Sequence, residues 1–204
     1  MYIPRYFQPD EAAAQAFLAS IVSGHLVSNT AQGLMSTLLP VNYESATNSL
    51  VGHIARINEQ WSAATEQEAL FISTINEAYI SPTWYASKEL HHKVVPTWDY
   101  MTLHAYGRLE IHEDLDWLRA QVSALSDRFE AGREKPWSLA EAPEDYVAGQ
   151  LRAIVGVELH ISRIEVSFKM SQNKKEGDLD GVIAGLTADG KPEIAAKVRE
   201  LGER

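Results

Sequence analysis

Residues 157 to 168 limit this chain's fold more than any other stretch. Val157, Leu159 and Ile161 put apolar side chains on one parity, and Ile164, Val166 and Phe168 put them on the other. Successive side chains of an extended backbone point to opposite faces. A change of parity at Ser162-Arg163 is therefore what one extra residue, a β-bulge, produces within a single long strand.

The remaining elements fit around that strand. Val94 to His112 reads as a second long strand, bent near Gly107. His25 to Thr30 and Leu34 to Val41 flank Ala31-Gln32-Gly33 as a hairpin. Ser49 to His53, Ala69 to Ile75 and Ala78 to Ser81 are shorter β-prone runs, the last stopped by Pro82. Ile54 to Trp61 fits a helical turn or an extended loop equally, and Lys88 to Lys93 reads as a loop.

Helices are expected from Pro9 towards Gly24, over Asp114 to Glu130, over Pro143 to Ile154, and over Asp178 to Leu186 and Pro192 to Leu201. The clearest is the second, where Leu115, Leu118, Val122, Leu125 and Phe129 recur at helical spacing behind Asp114 and Asp116. Strands that look antiparallel, with helices gathered around them, favour an α+β class with a mainly β core, a small antiparallel barrel. No repeat or linker divides the chain, so 1–204 is expected to be one domain with a helical extension over about 175–204.

Charge narrows the function. The 204 residues hold 28 Asp and Glu against 18 Lys and Arg, a formal charge of −10. Such a chain repels a phosphate backbone unless its bases gather on one face, and no helix-turn-helix with a basic recognition helix is visible, so direct DNA binding is disfavoured. The absence of cysteine excludes disulfides, thiolate metal sites and cysteine nucleophiles. His91-His92 is an adjacent pair, a poor metal chelate, and no metal site is expected. No run approaches the roughly 20 apolar residues of a membrane span. The opening Met1 to Asp10 resembles no leader, so a cytoplasmic location is expected.

Three clusters exceed the needs of a core. In Gly52 to Asn58, the small residues allow close approach, while Arg56 can fork onto a phosphate that Asn58 helps to fix. His53, ending a strand-like run, reads more often as a satisfied structural histidine. In Tyr79 to Lys88 with Val95 to Tyr100, the hydroxyls of Ser81, Thr83 and Ser87 and the cation of Lys88 suit a phosphate, while Trp84, Tyr85 and Trp98 offer flat faces. Core or dimer packing is an equal reading of each tryptophan alone. Lys169 to Lys174 is a polar segment where the bulged strand leaves the core.

These blocks together, with Met1-Tyr-Ile-Pro at the start and Gly181 to Leu186 near the end, resemble the signature segments of the PaiB-type, FMN-binding negative transcriptional regulators. The resemblance implies an FMN-binding split β-barrel of about six strands, usually a homodimer with flavin at the subunit interface. It is more distantly similar to pyridoxamine-phosphate-oxidase-like flavoproteins. It also implies Arg56, Ser87 and Lys88 as phosphate contacts, and His53, Asn58, Ser81, Thr83, Thr97 and Trp98 as residues lining the flavin. The pattern departs at Glu59, where the family usually has Pro, and at Asp99, where it usually has Asn.

Two functions follow from the resemblance. One is a regulator, acting directly or through flavin or metabolite sensing. The alternative is an FMN-dependent oxidoreductase acting on a small substrate or free flavin, with His53, Tyr85 or His104 as proton donors.

Overall fold

The computed structural model describes residues 1–63 and 68–202. In order, the chain forms α1 (Glu11–Ser20), β1 (Ser23–Thr30), β2 (Gly33–Glu44), β3 (Ser49–Ala55), α2 (Gln60–Ala63), β4 (Ala69–Ile80), α3 (Ser87–His91), β5 (Thr97–His112), α4 (Leu115–Glu130), α5 (Glu144–Arg152), β6 (Ile154–Lys169), α6 (Glu176–Ala188) and α7 (Pro192–Gly202). The six strands close into a barrel in the order β1-β2-β3-β6-β5-β4. This is the expected α+β split-barrel class, with peripheral helices and a helical tail. The final two residues of that tail lie outside the described ones.

Local chemistry accounts for most boundaries. In the first hairpin Thr30 pairs with Gly33, leaving Ala31 and Gln32 as a two-residue turn. Gly33 sits at φ 111°, and the Thr30 hydroxyl donates to its carbonyl at 2.8 Å. Asp114 caps α4 by accepting from the Trp117 backbone N–H at 2.8 Å. That helix buries Leu118 and Leu125 on its apolar stripe. The undecided segment 54–61 divides: Ile54 and Ala55 finish β3, and Gln60 and Trp61 begin α2.

Two expectations change. Ala69 to Ser81 is not two strand pieces; β4 runs unbroken from Ala69 to Ile80. The irregularity between the two β-prone runs is Asn76, at φ 55°, a left-handed conformation that asparagine tolerates. The loop expected over Lys88 to Lys93 contains the short helix α3, closed by His92 at φ 57°, whose N–H donates to the Lys88 carbonyl at 2.9 Å.

The chain falls into two compact units. The first comprises Met1–Ala14, Thr74–Leu103 and Glu165–Arg204; the second comprises Gln15–Ser73 and His104–Ile164. Strands β4, β5 and β6 each pass from one unit into the other. The parity change at Ser162-Arg163, both exposed, lies just before the passage of β6 between them.

In the second unit Leu26, Leu39, Val41, Leu50, Phe71, Val157 and Leu159 are buried, as parity along β1, β2, β3 and β6 requires. Gln60, fully buried, is satisfied there by the Leu26 carbonyl at 2.9 Å, Ser28 at 3.0 Å and Thr37 at 2.5 Å. In the first unit Val182, Leu186 and Val198 of α6 and α7 are completely buried. Trp84 lies directly over α6: a Cβ added at Gly181 would strike its carbonyl, and one at Gly185 its indole ring.

Gly185→Ala should therefore overpack the Trp84 seat and destabilise the fold by about 1–3 kcal/mol in urea denaturation. Gly149→Ala is the control, because no heavy atom lies within 4 Å of that added Cβ. It should be neutral or stabilising by up to about 1 kcal/mol.

Candidate functional site

In the first unit, three segments carry the polar groups. The end of β4 leads from Tyr79 into Ser81, whose side chain caps the turn Pro82–Trp84 by accepting from the Thr83 N–H at 3.2 Å. The Ser81 and Thr83 hydroxyls are themselves 2.7 Å apart. At the start of β5, Trp98 is 52% exposed and meets Tyr79 edge to face, with ring centroids 6.3 Å apart. The third segment is Lys169 to Lys174, where β6 ends and Ser171 takes φ 59°.

A buried carboxylate joins the second and third segments. Asp99 is 1% exposed, and the Ser171 hydroxyl donates to its Oδ2 at 2.6 Å. Its Oδ1 and the Tyr85 hydroxyl are both buried without a hydrogen-bond partner. Burial pushes the Asp99 carboxyl up to about 6, against the opposing pull of the Ser171 bond and of Lys169 and Lys174. Burial, then the charge of Asp99, raises the Tyr85 phenol to about 12.

The lysines are held differently. Lys169 Nζ donates to Thr97 Oγ1 at 2.5 Å and to the Trp98 carbonyl, and it lies 5.6 Å from the Tyr100 ring centroid. Burial lowers its pKa; Asp99 opposes that shift and Lys174 adds to it. Lys174 Nζ sits 4.3 Å from the Tyr85 ring centroid. Lys88 Nζ is 4.0 Å from its neighbour Glu89. Ser87 presents both its N–H and its hydroxyl to the Asp178 carboxylate, each at 2.8 Å. Burial works against ionising Asp178, but the Ser87 bonds and the Lys174 charge hold its pKa below the ordinary value.

His53, Arg56 and Asn58 belong to the second unit, where each is engaged. His53 Nδ1 is 2.9 Å from Gln121 Oε1. Arg56 donates to the Arg152 carbonyl at 2.9 Å, the Ile154 carbonyl at 3.2 Å and Glu113 at 2.5 Å. Asn58 donates to Thr37 at 2.8 Å and accepts from the Gln60 N–H at 3.0 Å. Ser81, Thr83, Ser87, Lys88, Thr97 and Trp98 are gathered in the first unit.

The sequence marked Tyr85 only as a flat face or proton donor, Asp99 only as a departure and 169–174 only as a polar segment. The concentration of lysine and hydroxyl at a strand end was the available signal. Asp178 carried none.

Among the described residues no cluster of three or more metal-binding side chains occurs, and no helix is long and apolar enough to cross a membrane. The first unit's hydroxyls, lysines and exposed rings fit a phosphate ester carried on a flat ring system, as in FMN. Bound there, FMN would supply redox chemistry from its isoalloxazine ring.

Asp99 has a sign that can be worked out. Its folded pKa stands above the unfolded value of 3.8, so its stabilising contribution is complete below about pH 3.8 and is lost as pH climbs through about 6. Asp99→Asn should match the parent protein in stability at pH 4 and exceed it by roughly 1–3 kcal/mol at pH 7.5. Urea denaturation at both pH values measures the difference.

Comparisons with known proteins point to the same cofactor class. Residues 1–163 match the family described as a putative FMN-binding domain. Protease synthase and sporulation protein PAI 2 of Bacillus subtilis is 30% identical over 207 residues, covering 100% of this chain and 97% of that protein. An uncharacterised protein of Emericella nidulans is 39% identical over 138 residues, 61% of this chain, and the match spans 55% of that relative's length.

Two solved structures share the fold. A conserved hypothetical protein of Mycobacterium tuberculosis superposes with a TM-score of 0.60 at 12% identity, covering 86% of this chain and 95% of the other. A flavocytochrome of Azotobacter vinelandii does so with a TM-score of 0.56 at 14% identity, covering 82% and 72%. The chain thus belongs to the putative FMN-binding domain family, as a split-barrel protein of the PaiB type that its motifs resemble.

Proposed function

We propose that this chain holds FMN against the first unit and acts as a PaiB-type regulator whose output depends on flavin occupancy, not on a direct grip on DNA. The observation carrying this reading is the exposed Trp98 face beside Tyr79, flanked by Thr97 and by the Ser81–Thr83 hydroxyl pair. Trp98 and Tyr79 would face the ring, and Ser81, Thr83, Ser87, Lys88 and Thr97 would supply polar contacts. A homodimer would cover the exposed aromatic pair from the other side, and the location is cytoplasmic. The net charge of −10 supports an indirect regulatory route.

His53, Arg56 and Asn58 take a different part in this reading. Arg56 spends its donors on two carbonyls and a carboxylate of its own unit, so it ties Arg152, Ile154 and Glu113 to β3. Arg56→Ala should cost about 1–3 kcal/mol of stability and leave the preference for FMN over riboflavin unchanged. If Arg56 meets the phosphate instead, that preference collapses.

The purified protein should show the flavin absorbance band and bind FMN at least roughly tenfold more tightly than riboflavin, as charge-assisted phosphate contacts require. No binding of either flavin sinks the proposal. Reduction of bound flavin by NADH or NADPH with turnover on an acceptor would reassign the protein as an FMN-dependent oxidoreductase. Sequence-specific DNA binding at low salt would overturn the indirect route.

A further inference from the structure

Lys174 is half-buried and acts on two carboxylates of the first unit, Asp99 and Asp178. The chain has 28 acidic and 18 basic side chains, yet among the described residues the Lys174 ammonium makes no ion pair or hydrogen bond. It rests instead over the Tyr85 ring at 4.3 Å. Lys169, by contrast, is committed to Thr97 and the Trp98 carbonyl.

Two buried polar atoms without partners belong to the same cluster: the hydroxyl of Tyr85, 2% exposed, and Oδ1 of Asp99, 1% exposed. Each lacks a hydrogen bond that a ligand atom or a bound water would supply. The cluster therefore combines a cation seated on an aromatic ring with unsatisfied polar groups.

We infer that Lys174, seated on Tyr85, is the cation that takes the phosphate group of the flavin nucleotide, and that the buried Asp99 carboxylate weakens this subsite when it is ionised. This rests on the flavin-binding reading above and assigns the phosphate end of that site.

Among the described residues, each charged group that acts on this cluster has a definite effect. Lys169, at the end of β6, adds positive charge. Asp99 on β5 subtracts one charge as it ionises, and Asp178 on α6 subtracts another while bound to Ser87. His91 on α3 acts on Asp178, and the Tyr85 phenol, pushed up to about 12, carries no charge at working pH. Burial sets the Asp99 pKa at about 6, so its charge is gained between about pH 5 and pH 7. An ionised carboxylate in the same cluster repels a phosphate, and at an effective dielectric of about 20 that repulsion weakens binding by roughly tenfold or more.

The test titrates FMN and riboflavin against the full chain by flavin fluorescence, at pH 5 and pH 7.5. Lys174→Gln should lower FMN affinity by roughly tenfold and leave riboflavin affinity unchanged. Lys174→Arg, which keeps the charge, should retain FMN binding. Asp99→Asn should raise FMN affinity by roughly tenfold at pH 7.5 and by less than about twofold at pH 5. The phosphate titrates near pH 6 itself, so each variant is compared with the parent protein at the same pH, which cancels that change. Thermal midpoints confirm that each variant is folded.

If flavin binds but Lys174→Gln leaves the FMN-to-riboflavin ratio unchanged, the subsite is overturned and the flavin reading stands. If Asp99→Asn raises FMN affinity equally at both pH values, the titrating role is overturned. If neither flavin binds the parent protein, the flavin reading fails and this assignment fails with it.

Discussion

The first unit is organised around a carboxylate taken out of water. Asp99 has one oxygen bonded to Ser171 and the other unpaired, and of the lysines nearby one is bonded elsewhere and one is seated on the Tyr85 ring. Burying an incompletely satisfied carboxylate costs more than burying a neutral side chain of the same shape. The surrounding groups offset only part of that cost, which is why its proton is held to unusually high pH. Tyr85 feels the same burial and the same charge in the opposite practical sense: its phenol is kept firmly protonated. Two adjacent groups thus answer one environment differently, because one ionises below neutrality and the other above it.

In the second unit two polar side chains are well satisfied, although Nε2 of Gln121, whose Oε1 meets His53, is buried without a partner among the described residues. Gln60 is fully buried yet bonded on both ends of its amide, and Arg56 ties β3 to the end of α5 and the start of β6 through backbone carbonyls. Such satisfied networks fix a single packing arrangement. A residue held by three hydrogen bonds within its own unit, as Arg56 is, is a weaker candidate for ligand capture than one without such bonds. That contrast separates Arg56 from Lys174, although both are cations within signature segments.

Legibility in the sequence followed locality. The strand with the parity change, the hairpin at Gly33 and the capped helix after Asp114 were readable because periodicity and turn chemistry involve neighbours a few residues apart. Asn76 misled by breaking one strand into two apparent pieces, since a left-handed asparagine resembles a boundary. The candidate site was readable as residue types but not as partnerships. Nothing near Ser87 announces that Asp178 will claim its donors, because 91 residues separate them. In the same way Lys169 and Lys174 look alike in sequence, and only their neighbours distinguish the cation held by Thr97 and the Trp98 carbonyl from the one seated on the Tyr85 ring.

The division of the chain also sets an order of assembly during synthesis. The second unit is complete once Ile164 has emerged, whereas the first draws on three separate segments and waits for the last of them. Asp99 is made long before Ser171, the residue that bonds it. Until that segment arrives the carboxylate has no reason to leave water, so the acidic group at the centre of the first unit is buried only in the closing stage of folding. A growing chain would carry β5 without its β6 neighbour in the first unit for about 60 residues of elongation.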